Sequence, residues 1–160
     1  MFGFLKKNGS EELLSPVTGK MIPLEKVKDE VFSSKMMGEG VAFELSENTV
    51  CSPVDGEITM IPESLHAFGV KSDQGAEVLV HVGLDTVNLG GRGFTKLVNQ
   101  GAKVKKGTPI LQVDRERLLE ENMTLTTPMI VMNTSDFEVA LLEAETVSSG
   151  ETKVMILKKN

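Results

Sequence analysis

The sequence predicts an all-β protein, an antiparallel β-sandwich or barrel with a few short helical turns. Three observations carry that expectation. Short runs of Val, Ile, Leu, Met and Phe recur along the chain, clusters of Gly, Pro, Asp and Asn separate them, and helical signals are few. A length of 160 residues with 40% hydrophobic content suits one domain with a real core.

The opening MFGFLKK is apolar and then basic, without the apolar core and cleavage site of a secretory signal, so residues 1–11 are expected to form a flexible N-terminal arm and residues 12–160 a single domain. The predicted strands are Val41 to Leu45, Glu57 to Met60, Glu77 to Val82, Met129 to Met132 and Val154 to Leu157. Phe94 to Gln100 reads as two helical turns stopped by Gly101. Asp114 reads as the cap of a short helix through Arg115 to Glu121. SPVTGK at 15–20 and SPVDGE at 52–57 share Ser-Pro-Val-x-Gly, in which Pro pre-sets one turn residue and Gly supplies a positive φ, so each bends the chain into a strand. A third bend, GAKVKKGTPI at 101–110, brackets a basic step with glycines. The repeat hints at duplication, although reuse of turn chemistry is enough to explain it.

Composition excludes several function classes. No apolar run approaches the roughly 20 residues of a membrane-spanning helix. The lone Cys51 has no intrachain partner, which rules out a disulfide framework and fits a reducing cytoplasm. A net charge of −6 argues against sequence-independent nucleic-acid binding.

Chemistry concentrates in LHAFGVKSDQGAEVLVH at 65–81, which holds both histidines of the chain, His66 and His81, at equal distances from the turn Ser72-Asp73-Gln74-Gly75. A two- or four-residue loop makes them direct cross-strand neighbours, with Cβ atoms roughly 4.5 to 5.5 Å apart. A three-residue loop with a glycine bulge shifts the register by one, and a second irregularity is then needed to bring the rings together. Two facing imidazoles supply too few ligands for a complete zinc site, and the nearest same-face carboxylates, Glu77 and Asp85, lie ~13 Å along the strand. Serine hydrolase chemistry lacks a Gly-x-Ser-x-Gly signature, and no Gly-x4-Gly-Lys-Ser/Thr loop binds ATP. The remaining reading makes one imidazole a nucleophile that takes and passes on a phosphoryl group while the other donates a hydrogen bond to it. Val78, Val80, Val82 and Phe68 are the expected apolar surround that keeps the rings neutral.

SPVDGEI at 52–58, HAFGVKSDQGAEVLVHVGLDTVNL at 66–89, GAKVKKGTPILQVD at 101–114, VFSSKMMGEGVAFE at 31–44 and TTPMIVMN at 126–133 resemble the glucose-family enzyme IIA of the bacterial phosphoenolpyruvate-dependent sugar phosphotransferase system. The resemblance runs from about Glu12 to Leu157. It implies an antiparallel β-sandwich of the barrel-sandwich hybrid type and a phosphotransferase component with a phosphohistidine intermediate and no required cofactor. By that motif the histidine-containing phosphocarrier HPr donates to His81 at Nε2, His66 is the hydrogen-bonding partner, and the IIB domain of a membrane sugar permease accepts. Ser64 keeps the hydroxyl where threonine is more usual, Gly83 offers the carbonyl that orients the phosphorylated ring, and Asp85 is a rim carboxylate facing the donor's arginine. Val31, Phe32, Met37, Phe68 and Val87 are the implied apolar partner-binding residues, with methionine suiting a surface that fits several partners. Pro62 replaces an aromatic rim residue of some relatives, and the arm is shorter than the amphipathic tail that some members use at membranes. The resemblance also implies regulated enzymes or transporters as partners of the unphosphorylated form, and an intermolecular zinc site made by His66 and His81 with a partner's carboxylate.

Two other classes compete. The Pro-Val-x-Gly bend and GAKVKKGTPI are similar to biotinyl- and lipoyl-carrier modules, with Lys35-Met36-Met37 as the modified lysine, but Lys35 precedes rather than follows that segment. The third is a purely regulatory protein in which phosphohistidine is a signal rather than a transport intermediate.

Overall fold

The structure is a computed structural model that describes residues 10–160. Fourteen strands make it up: β1 Ser10–Leu14, β2 Gly19–Pro23, β3 Glu39–Leu45, β4 Thr49–Cys51, β5 Gly56–Met60, β6 Ala67–Ser72, β7 Glu77–His81, β8 Phe94–Lys96, β9 Lys103–Val104, β10 Pro109–Val113, β11 Thr126–Val131, β12 Phe137–Leu141, β13 Thr146–Val147 and β14 Lys153–Lys159. Two short α-helices, α1 Glu30–Ser33 and α2 Arg115–Glu120, and three 3-10 turns complete the described chain. All pairings are antiparallel, as expected of an all-β sandwich.

Strand order reveals an internal twofold. The large sheet runs β13-β2-β3-β11-β7-β6-β5-β9, and the small sheets run β1-β14-β12 and β4-β10-β8. Exchanging the halves leaves this arrangement unchanged: β13 meets β2 at Val147↔Gly19 as β9 meets β5 at Val104↔Gly56. The two Ser-Pro-Val-x-Gly bends are the matching corners. Ser15 Oγ donates to Val17 O at 2.6 Å and Ser52 Oγ to Val54 O at 2.7 Å, while Leu14 N donates to Pro53 O and Cys51 N to Pro16 O. The repeat in the sequence is therefore a repeat in structure, with each corner tied to the other, but Gly19 and Gly56 do not take the expected positive φ: glycine is required there because a Cβ would strike a backbone carbonyl, that of Glu44 or of Lys71.

The interior cluster takes one side chain in two from the central strands, including Phe43, Phe68, Val78, Val80 and Met129. Complete burial of each such side chain contributes about 1.5–3 kcal/mol. A smaller cluster, Leu24, Val27, Phe32, Ala42, Ala67, Leu79, Leu84 and Ile130, occupies the opposite face of the large sheet. The 3-10 turn Leu24–Lys26 and α1 supply Leu24 and Phe32 to it. This covered outer face carries the candidate functional site.

All five predicted strands are present with no end moved by more than three residues. α2 forms where expected, and Asp114 Oδ1 caps it by accepting from Arg117 N at 3.1 Å. Phe94 to Gln100 is not helical. Phe94 is buried and pairs with Val113, so Phe94–Lys96 is a strand, and Gly101 with φ +92 turns the chain toward β9 instead of ending a helix. α1 carried too few residues to show a helical period. β1 begins at Ser10, two residues before the expected domain boundary at 12, because Ser10 and Glu11 pair with Lys158 and Leu157. The rest of the expected arm lies outside the described residues.

Candidate functional site

Alternation along β7 sends Val78 and Val80 into the interior and leaves Leu79 and His81 on the outer face. His81 is therefore presented at the end of a strand buried on both sides. Its cross-strand partner is Ala67, not His66. The loop is the three-residue alternative: Gly75 N donates to Ser72 O, Ser72 N donates to Ala76 O, and Gly75 takes φ +94, which only glycine adopts without strain.

A second irregularity restores the pair. Leu65 has φ +56, and His66 follows it at a bend before β6, with its carbonyl accepting from Val82 N at 2.7 Å. The two rings end 4.8 Å apart between centroids at 78°, edge to face. His81 Nδ1–H donates to Gly83 O at 2.8 Å, which leaves the lone pair on Nε2. Ser64 Oγ lies 2.7 Å from His66 Nδ1; when its hydroxyl donates there, His66 carries its proton on Nε2.

Burial holds both imidazoles below their ordinary value of 6.5. For His81 the Gly83 bond and the charges of Asp29 and Asp85 oppose the effect, and for His66 the neighbouring His81 adds to it. Both rings are thus neutral at pH 7. The desolvating groups differ from those expected: Val78, Val80, Val82 and Phe68 belong to the interior cluster behind the sheet. Phe32, whose ring lies 5.1 Å from that of His81 at 57°, shares the outer face with Ala67 and Leu79.

The expected rim is partly assembled. Val31 is 42% exposed and Val87 52%, Met37 is half-buried, and Asp85 is exposed. Phe32 is buried against His81, so it supports the rim from below. Phe68 is a correction. It has no exposed surface, because its position in β6 points it into the sandwich, and it does not form part of a docking face. Two residues escaped the sequence reading. Met36 is 75% exposed beside Met37. Asp29 caps α1 through Oδ1 to Val31 N at 3.0 Å and also bears on His81 electrostatically; the Asp-Glu-Val-Phe capping pattern was the available signal. Among the described residues no group of three His, Cys, Asp or Glu could hold a metal ion. Lys35 is engaged by Glu39 at 3.3 Å and Glu25 at 3.5 Å, which ties it to the 3-10 turn and β3 and not to a carrier-type hairpin. Among the described residues no helix is long and apolar enough to cross a membrane.

The family model of the phosphoenolpyruvate-dependent sugar phosphotransferase system, EIIA 1, matches residues 11–137. A glucose-specific EIIA component of this system from Bacillus anthracis is 39% identical over 156 residues, covering 97% of this chain and 94% of that one. Its counterpart from Oceanobacillus iheyensis is 42% identical over 144 residues, 89% and 87% of the two chains. The N-acetylglucosamine-specific EIICBA component of Escherichia coli is 40% identical over 149 residues, which are 92% of this chain but 23% of that one. Among solved structures, the glucose permease IIA from Mycoplasma capricolum superposes with a TM-score of 0.89 at 34% identity, covering 95% of this chain and 98% of that one. With the sandwich, the paired imidazoles and these matches together, the chain belongs to the EIIA 1 family of the phosphoenolpyruvate-dependent sugar phosphotransferase system and is a phosphoryl-transfer component of it.

Proposed function

We propose that His81 carries the phosphoryl group on Nε2, receiving it from HPr and passing it to the IIB domain of a membrane sugar permease. The observation that carries this reading is the 2.8 Å bond from His81 Nδ1 to Gly83 O, because it directs the nucleophilic lone pair to Nε2 beside His66. In the first step the Nε2 lone pair attacks phosphorus, and the bond from phosphorus to the donor's imidazole breaks with its electron pair returning to that nitrogen. The ring of His81 keeps its proton on Nδ1, and Gly83 O faces the positive charge that develops there. His66, with Ser64 donating to Nδ1, offers Nε2–H to a phosphoryl oxygen. In the second step the acceptor's nucleophile repeats the displacement and His81 regains its lone pair.

Asp85 and Asp29 supply negative charge that a basic donor site would meet, and Val31, Met37 and Val87, with Phe32 beneath, supply apolar area for docking. Fusion of a similar region to EIICB in the N-acetylglucosamine relative supports a IIB acceptor, and the glucose-specific names of the other relatives favour glucose as the sugar served. A cytoplasmic location accords with the single buried thiol of Cys51. Phosphate on His81 places charge in the apolar rim, so partners that need the rim, such as regulated enzymes or transporters, would bind the unphosphorylated form. Such a partner could complete a zinc site by adding a carboxylate to the two imidazoles.

The test follows acid-labile phosphate from phosphoenolpyruvate, enzyme I and HPr on wild type, His81→Gln and His66→Gln. The reading expects label on wild type, none on His81→Gln, and label that does not move onward on His66→Gln. Equal labelling of His81→Gln and wild type would overturn it.

A further inference from the structure

We infer that Thr86 is a positioning residue for the phosphoryl transfer: its hydroxyl, held on the carbonyl of Val82, sets the Gly83 backbone that selects the nucleophilic tautomer of His81. The inference rests on the assignment of His81 Nε2 as the acceptor.

Gly83 O can accept from His81 only if the two peptide planes that flank Gly83 are fixed. Both planes are pinned. The plane between Val82 and Gly83 is held by Thr86 Oγ1, which donates to Val82 O at 2.6 Å. The plane between Gly83 and Leu84 is held by Leu84 N, which donates to Thr124 O at 3.2 Å, and this is the plane whose carbonyl receives the His81 proton. Between the two pins Gly83 sits at φ +78. A free glycine crosses φ space at little cost, so without the Thr86 pin the Val82–Gly83 plane is released and the carbonyl is held toward His81 by the Leu84 bond alone.

Thr86 is placed for this role and no other that the structure shows. It opens the 3-10 turn Thr86–Leu89 and has no exposed surface, so it cannot touch a docking partner directly. Its hydroxyl bonds to Val82 O, and its methyl carbon would lie 2.5 Å from a Cβ added at Gly83, so it walls the glycine on its open side. Val82 also reaches the other histidine, since Val82 N donates to His66 O at 2.7 Å. One residue, Val82, thus connects Thr86 to the backbones of both rings. Nothing in the sequence distinguishes this threonine from any other buried hydroxyl; only the bond geometry does.

The consequence is chemical rather than merely structural. With Gly83 O in place, neutral His81 holds its proton on Nδ1 and offers Nε2. With that acceptor lost, the proton is free to occupy Nε2, and that fraction of molecules has no lone pair to attack phosphorus. A hydrogen bond of ordinary net strength biases the tautomer by about three- to tenfold, so removing that bias takes the reactive fraction from roughly three-quarters to nine-tenths down to about half, and the phosphoryl-acceptance rate should fall by up to about twofold.

The experiment compares wild type, Thr86→Val, Thr86→Ala and Thr86→Ser by 15N-detected tautomer spectroscopy of His81 at pH 7.5 and by the rate of phosphorylation from HPr. Thr86→Val keeps the shape and removes the hydroxyl, Thr86→Ala removes both and serves if the valine variant does not fold, and Thr86→Ser restores the donor. The expected result is a predominant Nδ1–H tautomer in wild type and Thr86→Ser, and a nearly even mixture in Thr86→Val or Thr86→Ala with a rate reduced by up to about twofold. A folded Thr86→Val or Thr86→Ala with the wild-type tautomer, or Thr86→Ser as impaired as Thr86→Val, would overturn the inference. The tautomer is read without any phosphoryl transfer, so failure of the His81 assignment and failure of this inference give different results.

Discussion

Replacing Gly83 by alanine tests the geometry of the site at its tightest point. The residue has φ +78, and an added Cβ would lie 2.5 Å from the methyl carbon of Thr86 and 2.7 Å from the carbonyl oxygen of Thr124. The backbone conformation alone costs an L-residue about 1–2 kcal/mol. The contacts resemble overpacking, at about 1–3 kcal/mol, because one neighbour is backbone and cannot turn away. The expected destabilisation is therefore about 2–5 kcal/mol, or a fall in melting temperature of roughly 4–20 °C for a chain of this size. Gly101→Ala is the control, since Gly101 has φ +92 but nothing within 4 Å of an added Cβ and should lose only about 1–2 kcal/mol. Urea unfolding of wild type and both variants measures the difference. A Gly83→Ala protein as stable as wild type, or no less stable than Gly101→Ala, would refute the argument that the Gly83 turn is locked between Thr86 and Thr124.

Three further outcomes are expected. Phe32→Ala should destabilise by up to about 3–5 kcal/mol and, by letting water reach the ring that Phe32 covers at 5.1 Å, should raise the pKa of His81; an NMR titration that finds it unchanged would count against Phe32 as a source of the desolvation. Both folded imidazoles titrate below 6.5, so below that pH the unfolded chain binds more protons; stability should be fully present above about 6.5 and decline as pH falls toward the folded values, and replacing both by glutamine should flatten the profile below pH 6.5. Val87→Glu places a charge on a residue that is 52% exposed, so HPr-dependent phosphorylation should slow by roughly tenfold through a raised KM while the melting temperature stays the same; equal loss in kcat would point away from docking.

The strands and their turns were legible because β-branched runs and glycine punctuation are local signals. The Ser-Pro-Val-x-Gly repeat was visible too, but its meaning was not, since a twofold needs the pairing of β13 with β2 and β9 with β5 to be seen. Phe94 to Lys96 was misread because three residues carry no period, and it is the buried Phe94 opposite Val113 that decides for strand. For the site, symmetry about Asp73 and Gln74 located the right hairpin by way of the wrong register. Loop type is set by a single glycine, and the compensating left-handed Leu65 leaves no mark in composition. Phe68 was placed on the rim by the family resemblance, whereas strand alternation sends it inside. Thr86 acts through a backbone bond that spans a turn, which residue type does not disclose, whereas Asp29 was readable as a helix cap but not as a charge near His81.

The most direct test of the account identifies the nitrogen that carries phosphate. Protein labelled with 15N in its histidines would be phosphorylated from phosphoenolpyruvate through enzyme I and HPr, and the phosphorus-to-nitrogen coupling read by NMR. The account predicts phosphate on Nε2 of His81, with the Nδ1 proton of the same ring still bonded to Gly83 O. Phosphate on Nδ1 of His81, or on His66, would contradict it.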